Sequence, residues 1–450
     1  MRRYALSLIV LLGAAPAAAQ IIAPPPRSAA ARVRTPDPNR TTHELTLNAD
    51  VLSGHDNNVS PDGATGTVSG PRQSSFTSVF GSNLRYLRTH GGASQEATAR
   101  AFMNQFRNIG LRPLFGGDVS LRATQPLARR TTLMGRYQSE YSPMLAFRSV
   151  GTPTTPEVAD GITVRDIFNP TSGLTQQKTL NHSGLLVLSQ DWSSRNRSNV
   201  SATYTHRVYE HNYTMRSATA EVRHSWEFLR HTSMRASYRR TSQVIEQVAG
   251  GERPLDSDTL TMGLEWRKDF SRTRSMVISG GPSANYIKTV RALDNTPLEY
   301  LSPSGYLSFR MDLARTWSVS TDFRRQNSFI EGVVRQSFIT DATSVSLGGD
   351  LFWGVGLSLT GQYSTGTPNR GEVGSYKSGN GTLQFRYGLG SCCSVVASQS
   401  YYFHRLHDLA SLTEGFPSQF ERNAVRVGMT MQLPLHGTPS PASSLTPGRN

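Results

Sequence analysis

The chain has almost no cysteine, almost no lysine and no long apolar run beyond its N-terminus. Its two cysteines, Cys392 and Cys393, are adjacent in 450 residues. Neighbouring cysteines do not staple a fold, and this pair has the spacing of neither a metal site nor a redox motif. It reads as two small apolar residues at a turn, with a strained vicinal disulfide as the alternative in an oxidising compartment. Lysine occurs only at Lys178, Lys268, Lys288 and Lys377, so arginine carries nearly all of the formal charge of +15. A positive field favours anionic partners without naming them. Charged residues interrupt every later apolar stretch, and mean hydropathy is −0.40. That excludes spanning helices, which need ~20 apolar residues. Hydrophobic residues make up 37%, sparse for a packed soluble core of this size but suited to a barrel whose alternate residues face water.

The N-terminal apolar run is of another kind. Arg2 and Arg3 precede Tyr4–Ala15, and Ala17-Ala18-Ala19 stand before Gln20. This order describes a secretory signal peptide over 1–19. An uncleaved anchor is the alternative, disfavoured by the shortness of the run. Residues 20–42 are rich in Pro, Ala and Arg, with Pro24-Pro25-Pro26 and Pro36-Asp37-Pro38. They read as an extended periplasmic tether. Residues 436–450 read as a disordered tail of the same character.

From 43 to 435 the dominant signal is two-residue alternation. Leu260, Met262, Leu264 and Trp266 oppose Thr259, Thr261, Gly263, Glu265 and Arg267. Leu307, Phe309, Met311 and Leu313 oppose Ser308, Arg310 and Asp312. Val425, Val427, Met429, Met431 and Leu433 oppose Arg426, Gly428, Thr430 and Gln432. Such segments run about 10–16 residues, whereas soluble strands have a mode near 5–6 and tilted membrane strands need ~9–11. Strands are expected near 43–53, 74–89, 95–108, 115–126, 130–142, 181–193, 198–211, 214–228, 232–246, 257–270, 274–289, 302–313, 316–329, 337–353, 355–365, 380–389, 394–407 and 420–434. The weakest is 95–108, because Ala99, Phe102, Met103, Phe106 and Ile109 sit at helical spacing. Short turns near 127–130, 194–197, 229–231, 271–273, 314–316, 353–355 and 390–393 alternate with longer loops near 142–180, 247–257, 291–304, 366–379 and 408–419. Connections near 211–214 and 331–336 should be long by this rule and are not. Short periplasmic turns and long outer loops are the outer-membrane pattern. The expected fold is all-β: a transmembrane antiparallel up-and-down barrel of about 18 strands, or 16 if 43–53 and 95–108 are lost. A soluble periplasmic β-protein is the runner-up.

Five tryptophans, Trp192, Trp226, Trp266, Trp317 and Trp353, all stand near expected short turns, as an interfacial girdle would place them. The opposite, polar face carries Arg122, Arg136, Arg207, Arg223, Arg235, Arg239, Arg267, Arg310, Arg324, Arg386 and Arg426. Fewer acids share it: Asp118, Glu221, Glu265, Asp312, Asp322 and Asp350. Either these charges pair across strands and fill a wet lumen, or the surplus arginine makes a lumen selective for anions. A barrel of this size is wide enough for an aqueous channel, and the 142–180 loop is the best candidate constriction or plug. The polar segments Tyr204-Thr205-His206, Tyr209-Glu210-His211 and Tyr402-Phe403-His404 match no nucleophile elbow, metal pair or phosphate loop. No cofactor, metal or enzymatic activity is expected.

The expected first strand leads into Leu52-Ser53-Gly54-His55-Asp56-Asn57-Asn58-Val59. This resembles the G-Y-D-D-N-V element that opens many β-barrel porins of the exopolysaccharide-operon type. Asp258-Thr259-Leu260-Thr261-Met262-Gly263-Leu264-Glu265-Trp266 followed by Ser271-Arg272-Thr273 is similar to that family as well. His55 and Asn57 depart from its usual Tyr and Asp, and the chain runs past Leu433-Pro434-Leu435 into a polar tail instead of ending on an aromatic residue. The resemblance implies a passive outer-membrane conduit for a secreted polysaccharide, and arginine would suit an acidic polymer.

The expected function is a porin-like channel in the bacterial outer membrane for anionic solutes or an acidic exopolysaccharide. Its expected partners are outer-membrane lipid, those anions and the barrel-assembly machinery, and no nucleic acid. The alternatives are a closed structural or adhesive barrel acting through its loops, and an outer-membrane barrel hydrolase. A TonB-dependent transporter is disfavoured, because 22 strands and a plug need a longer chain.

Overall fold

The computed structural model describes residues 41–58, 74–107, 112–143, 145–146, 149–151, 173–175, 178–210, 213–247, 251–271, 273–290, 296–330, 333–351, 354–368, 374–390, 392–407 and 418–436. The expected signal peptide, nearly all of the tether, the tail beyond His436, Trp353 and most of the 142–180 loop lie outside them.

Eighteen long strands form the body. They are β1 Thr42–Asp56, β2 Ser75–His90, β3 Ala93–Phe106, β4 Leu114–Ala128, β5 Thr131–Ser142, β6 Thr179–Asp191, β7 Asn196–Tyr209, β8 Tyr213–Leu229 and β9 Thr232–Gln247. There follow β10 Gly251–Ser271, β11 Arg274–Val290, β12 Pro297–Asp312, β13 Ser318–Ile330, β14 Val333–Asp350, β15 Val355–Pro368, β16 Ser375–Gly388, β17 Cys393–His407 and β18 Gln419–His436. Each pairs antiparallel with the next, and β18 pairs with β1, so the sheet closes on itself. Closure leaves no open edge among these strands.

Alternation sets the two faces. In β10, Leu260, Met262 and Leu264 are each at least half exposed, while Leu255 and Ser257 on the other face are buried. Val425, Val427 and Met429 of β18 are exposed, while Ala424 and Arg426 on the other face are buried. Exposed apolar side chains recur on this outward face around the whole wall, from Val51 and Val119 through Val222 and Phe323 to Phe385. A closed sheet bonds its backbone internally and wears an apolar belt, which is the form in which strands cross a lipid bilayer. The chain is a β-barrel of the kind that crosses a membrane. The inward face is polar, and hydroxyls bridge neighbouring strands across it: Thr98 to Ser120 at 2.7 Å, Thr219 to Thr241 at 3.1 Å, Ser320 to Ser346 at 2.6 Å. Such cross-strand pairs stabilise a sheet.

The helical spacing in 95–108 gives way to a strand. In β3, Glu96, Thr98, Arg100 and Phe102 pair with Arg122, Ser120, Asp118 and Gly116 on the inward face, which leaves Ala97, Ala99 and Ala101 facing lipid. Alanine tolerates either structure, and pairing on both sides decides.

The long loop expected near 247–257 is also replaced by strand. β9 and β10 pair from Gln247 with Gly251 downward, so only three residues join them. Pro254 is tolerated inside β10 because β11 pairs with β10 only from Asp256 onward, so no ladder bond from that side is lost. β12, β15 and β16 likewise extend beyond their expected ends, to Pro297, Pro368 and Ser375.

Candidate functional site

The inward wall is the candidate site. All eleven arginines named from the sequence fall on it by strand register. Arg122 of β4 stands directly across from Arg136 of β5. Arg223 and Arg239 flank Glu221, each bonding one of its oxygens at 2.9 Å. Arg235 meets Glu265 at 2.5 Å. Arg207 donates to the Tyr209 hydroxyl at 3.3 Å, and Arg386 to Ser394 at 2.9 Å. Arg310 lies 4.0 Å from Asp312 and Arg267 lies 3.8 Å from Asp269. Arg324 sits across from Tyr306.

The register of the described strands adds charges of both signs to the inward face. It adds Arg85, Arg100, Arg197 and Arg422 to the inward face. It also adds eight carboxylates: Glu44, Asp50, Asp56, Glu96, Glu140, Asp191, Glu227 and Asp269. Several are bonded, as in Arg85 Nε to Glu96 at 2.7 Å and Arg197 Nε to Asp191 at 2.5 Å. Among the described side chains the two signs are near balance on this wall, with arginine slightly ahead. What remains is local: Arg122 opposite Arg136, and two carboxylates, Glu221 and Asp56, that each serve two arginines.

Asp56 belongs to a second cluster, at the long-loop end of the seam where β18 meets β1. Arg422 Nε donates to Asp56 Oδ2 at 2.8 Å, and Arg426 Nη2 lies 3.6 Å from the same oxygen. The backbone N–H of Asn57 donates to the carbonyl of Asn423 at 2.9 Å, and the backbone N–H of Asn423 donates to the Asn57 side chain at 2.6 Å. Asn58 donates from its side chain to the carbonyl of Glu421. The Asp56-Asn57-Asn58 run that carried the family resemblance is thus a clasp between first and last strands. Gly54 and Gly428 let those strands close: a Cβ on either would run into the backbone oxygen of Val425 or Val51.

Beside the clasp, aromatic side chains pack on the inward wall. Tyr402 of β17 stands across from Arg422. Tyr402 and Phe420 have ring centroids 6.0 Å apart, and His404 stacks on Phe420 at 5.8 Å with planes 15° apart. Further round, Phe338 meets Tyr376 edge-on at 5.3 Å, and the Tyr376 hydroxyl shares a hydrogen bond of 2.7 Å with Thr340. Phe338, Tyr376 and His404 have 0% exposure. Sequence reading treated Tyr402-Phe403-His404 as scattered polar residues. The two-residue period, applied to β17, would have put Tyr402 and His404 on the same face as Ser394 and Val396.

Of the five tryptophans expected to form a girdle, four lie among the described residues, all toward the short-turn rim. Trp192 and Trp226 are exposed, Trp226 sits 5.8 Å from Phe228, and the Trp317 indole N–H donates to the carbonyl of Asp350 at 3.0 Å. Trp266 is outward and half buried. Both cysteines are free thiols near the same rim. Of the 142–180 loop, Ser149–Gly151 pairs antiparallel with Ser328–Ile330 of β13. That strand lies on the far side of the wall from β5 and β6, so this piece of chain reaches across the barrel mouth. Among the described residues no group of three His, Cys, Asp or Glu is placed to hold a metal ion.

No protein-family model matches the chain, and no curated protein does. Among solved structures the chain is similar to Pseudomonas aeruginosa OpdQ, at 9% identity and a TM-score of 0.43 over 88% of this chain and 98% of that one. Pseudomonas aeruginosa OccK2 (OpdF) in complex with glucuronate is similar at 10% identity and a TM-score of 0.43, over the same 88% and 98%. The FrpB iron transporter from Neisseria meningitidis is similar at 8% identity and a TM-score of 0.44, over 87% of this chain and 81% of its own.

Proposed function

We propose that this barrel is an outer-membrane channel for anionic solutes. The observation that carries the reading is the inward pair Arg122 and Arg136, set directly opposite each other across β4 and β5. Like charges in that position repel even with Arg136 donating to the Gln138 side chain at 2.9 Å, and a passing anion adds counter-charge beside them. Glu221, held between Arg223 and Arg239, leaves a second local excess of positive charge on the same side of the wall. Selectivity then comes from where charges stand and not from their sum. Small carboxylates and an acidic exopolysaccharide both belong to the class, the polymer being what the family resemblance implies.

Reconstituted in planar bilayers under a salt gradient, the barrel should give a reversal potential of anion-selective sign. Cation selectivity, or silence, would sink the reading. Block of the current by acidic oligosaccharides of increasing length separates the polymer from small anions.

A second reading is a closed barrel that acts through its loops. It is favoured by the fully buried inward side chains Phe338, Tyr376 and His404 and by the pairing of Ser149–Gly151 across the mouth. Silent bilayers, with adhesion lost when the loops are shaved by protease on intact cells, would establish it.

A further inference from the structure

The clasp holds more positive charge than its carboxylate answers. Asp56 offers one oxygen, Oδ2, to both guanidinium groups, while its Oδ1 accepts from the backbone N–H of Asn58 at 3.3 Å. Arg422 Nη1, Arg426 Nε and Arg426 Nη2 are buried without an acceptor. The arginine side chains are 4% and 5% exposed and that of Asp56 is 0% exposed. Two cations and one anion leave a net positive charge in a nearly dry place.

Other buried polar atoms on the wall lack an acceptor too, such as Thr77 Oγ1 and Ser400 Oγ. Those are neutral, and one water meets their need. Among the described residues the guanidinium groups of Arg422 and Arg426 are the only cations in that condition. A buried charge without a counter-ion is far costlier than a buried hydroxyl.

We propose that Arg422 and Arg426 form a binding site for a carboxylate on the inward wall. A guanidinium presents its N–H groups as a planar fork that matches a carboxylate with two bonds. Asp56 fixes the Arg422 fork from the seam side. Tyr402, His404 and Phe420 pack against one another on the neighbouring wall, and benzoate serves as the probe carboxylate. The proposal rests on the reading of the barrel as an anion conduit and adds a place where the anion stops.

The test is titration calorimetry of the full-length barrel in detergent with benzoate, and with benzyl alcohol as the uncharged control. Benzoate should bind and benzyl alcohol should not. Arg426→Gln keeps the Asp56–Arg422 bridge and should weaken benzoate at least about tenfold, with Arg426→Lys in between. Asp56→Asn removes the competing negative charge and should tighten it by about the same factor. Wild-type binding that Arg426→Gln leaves unchanged, or no benzoate binding at all, overturns the site. If Asp56→Asn fails to fold, Arg426→Gln still decides. A barrel that binds benzoate through Arg426 but conducts without anion preference would keep this site and lose the channel reading. An anion-selective barrel indifferent to Arg426→Gln would do the opposite.

Discussion

Asp56 on the first strand and Arg422 on the last are 366 positions apart and meet as a buried bridge where the barrel closes. Breaking a buried pair by removing one partner strands the other charge, at a cost of about 3–5 kcal/mol. Asp56→Ala strands two arginines and should therefore destabilise more than Arg422→Leu, which removes one. The temperature at which the compact band on an unboiled gel converts to the slow one should fall in both, further in Asp56→Ala. Equal shifts would show that Arg426 does not depend on Asp56.

The seam also depends on missing side chains. Gly54 pairs with Arg426, and Gly428 with Leu52. A Cβ at Gly54 would meet the Val425 carbonyl, and one at Gly428 the Val51 carbonyl. Backbone of a paired strand cannot step aside as a side chain can, so overpacking here should reach the upper end of the usual range, about 3 kcal/mol. Gly428→Val should reduce the folded fraction on refolding into detergent micelles. Gly135→Val, at an outward glycine with open space around its Cβ position, should not. Matching yields for the two variants would contradict the close approach.

Within the apolar belt the sequence was readable. Leu260, Met262 and Leu264 alternate with Thr259, Thr261 and Gly263, and each lies on its expected face because lipid on one side and water on the other enforce the period. Above the belt that pressure is gone. There β11 and β12 carry Lys288 and Glu299 outward, 3.3 Å apart, and β10 carries Asp258 outward, bonded to the Tyr238 hydroxyl at 2.6 Å. Both faces are polar, alternation fades, and strand ends looked like loops. The same loss hid Asp56, three residues past the expected end of the first strand. Its role was invisible for another reason as well: periodicity says which face a residue takes, not which strand will lie beside it. Arg122 and Arg136 were legible as inward residues, but their direct opposition comes from the register of β4 on β5.

The belt itself makes a depth-dependent prediction. Met262 is 50% exposed and outward near the middle of the apolar belt on its strand. Arginine there faces hydrocarbon and should cost about 2–4 kcal/mol. Thr261→Arg, on the inward face of the same strand between Ser237 and Ser283, should cost little, since its direct neighbours there are polar and uncharged. Urea unfolding in lipid vesicles measures both. Comparable losses would mean that the two faces of β10 see the same solvent.

The last prediction concerns the pair on which the channel reading stands. Arg122 has Arg136 across one strand pair and Glu96 across the other, and Glu96 is already bonded to Arg85. Replacing Arg136 by Glu turns a repulsive pair into an attractive one, so Arg136→Glu should stabilise this stretch slightly while weakening the draw on anions. Arg122→Glu together with Arg136→Glu should go further and move the permeability ratio toward cations several-fold. Because the lumen is wet, the shift should be large in dilute salt and shrink when the screening length falls from roughly 30 Å at 0.01 M to 3 Å at 1 M. Reversal potentials at two ionic strengths check both parts. A ratio that ignores the double reversal would move the selective region elsewhere on the wall, and a shift independent of salt would mean that the substitutions changed the shape of the lumen and not its field.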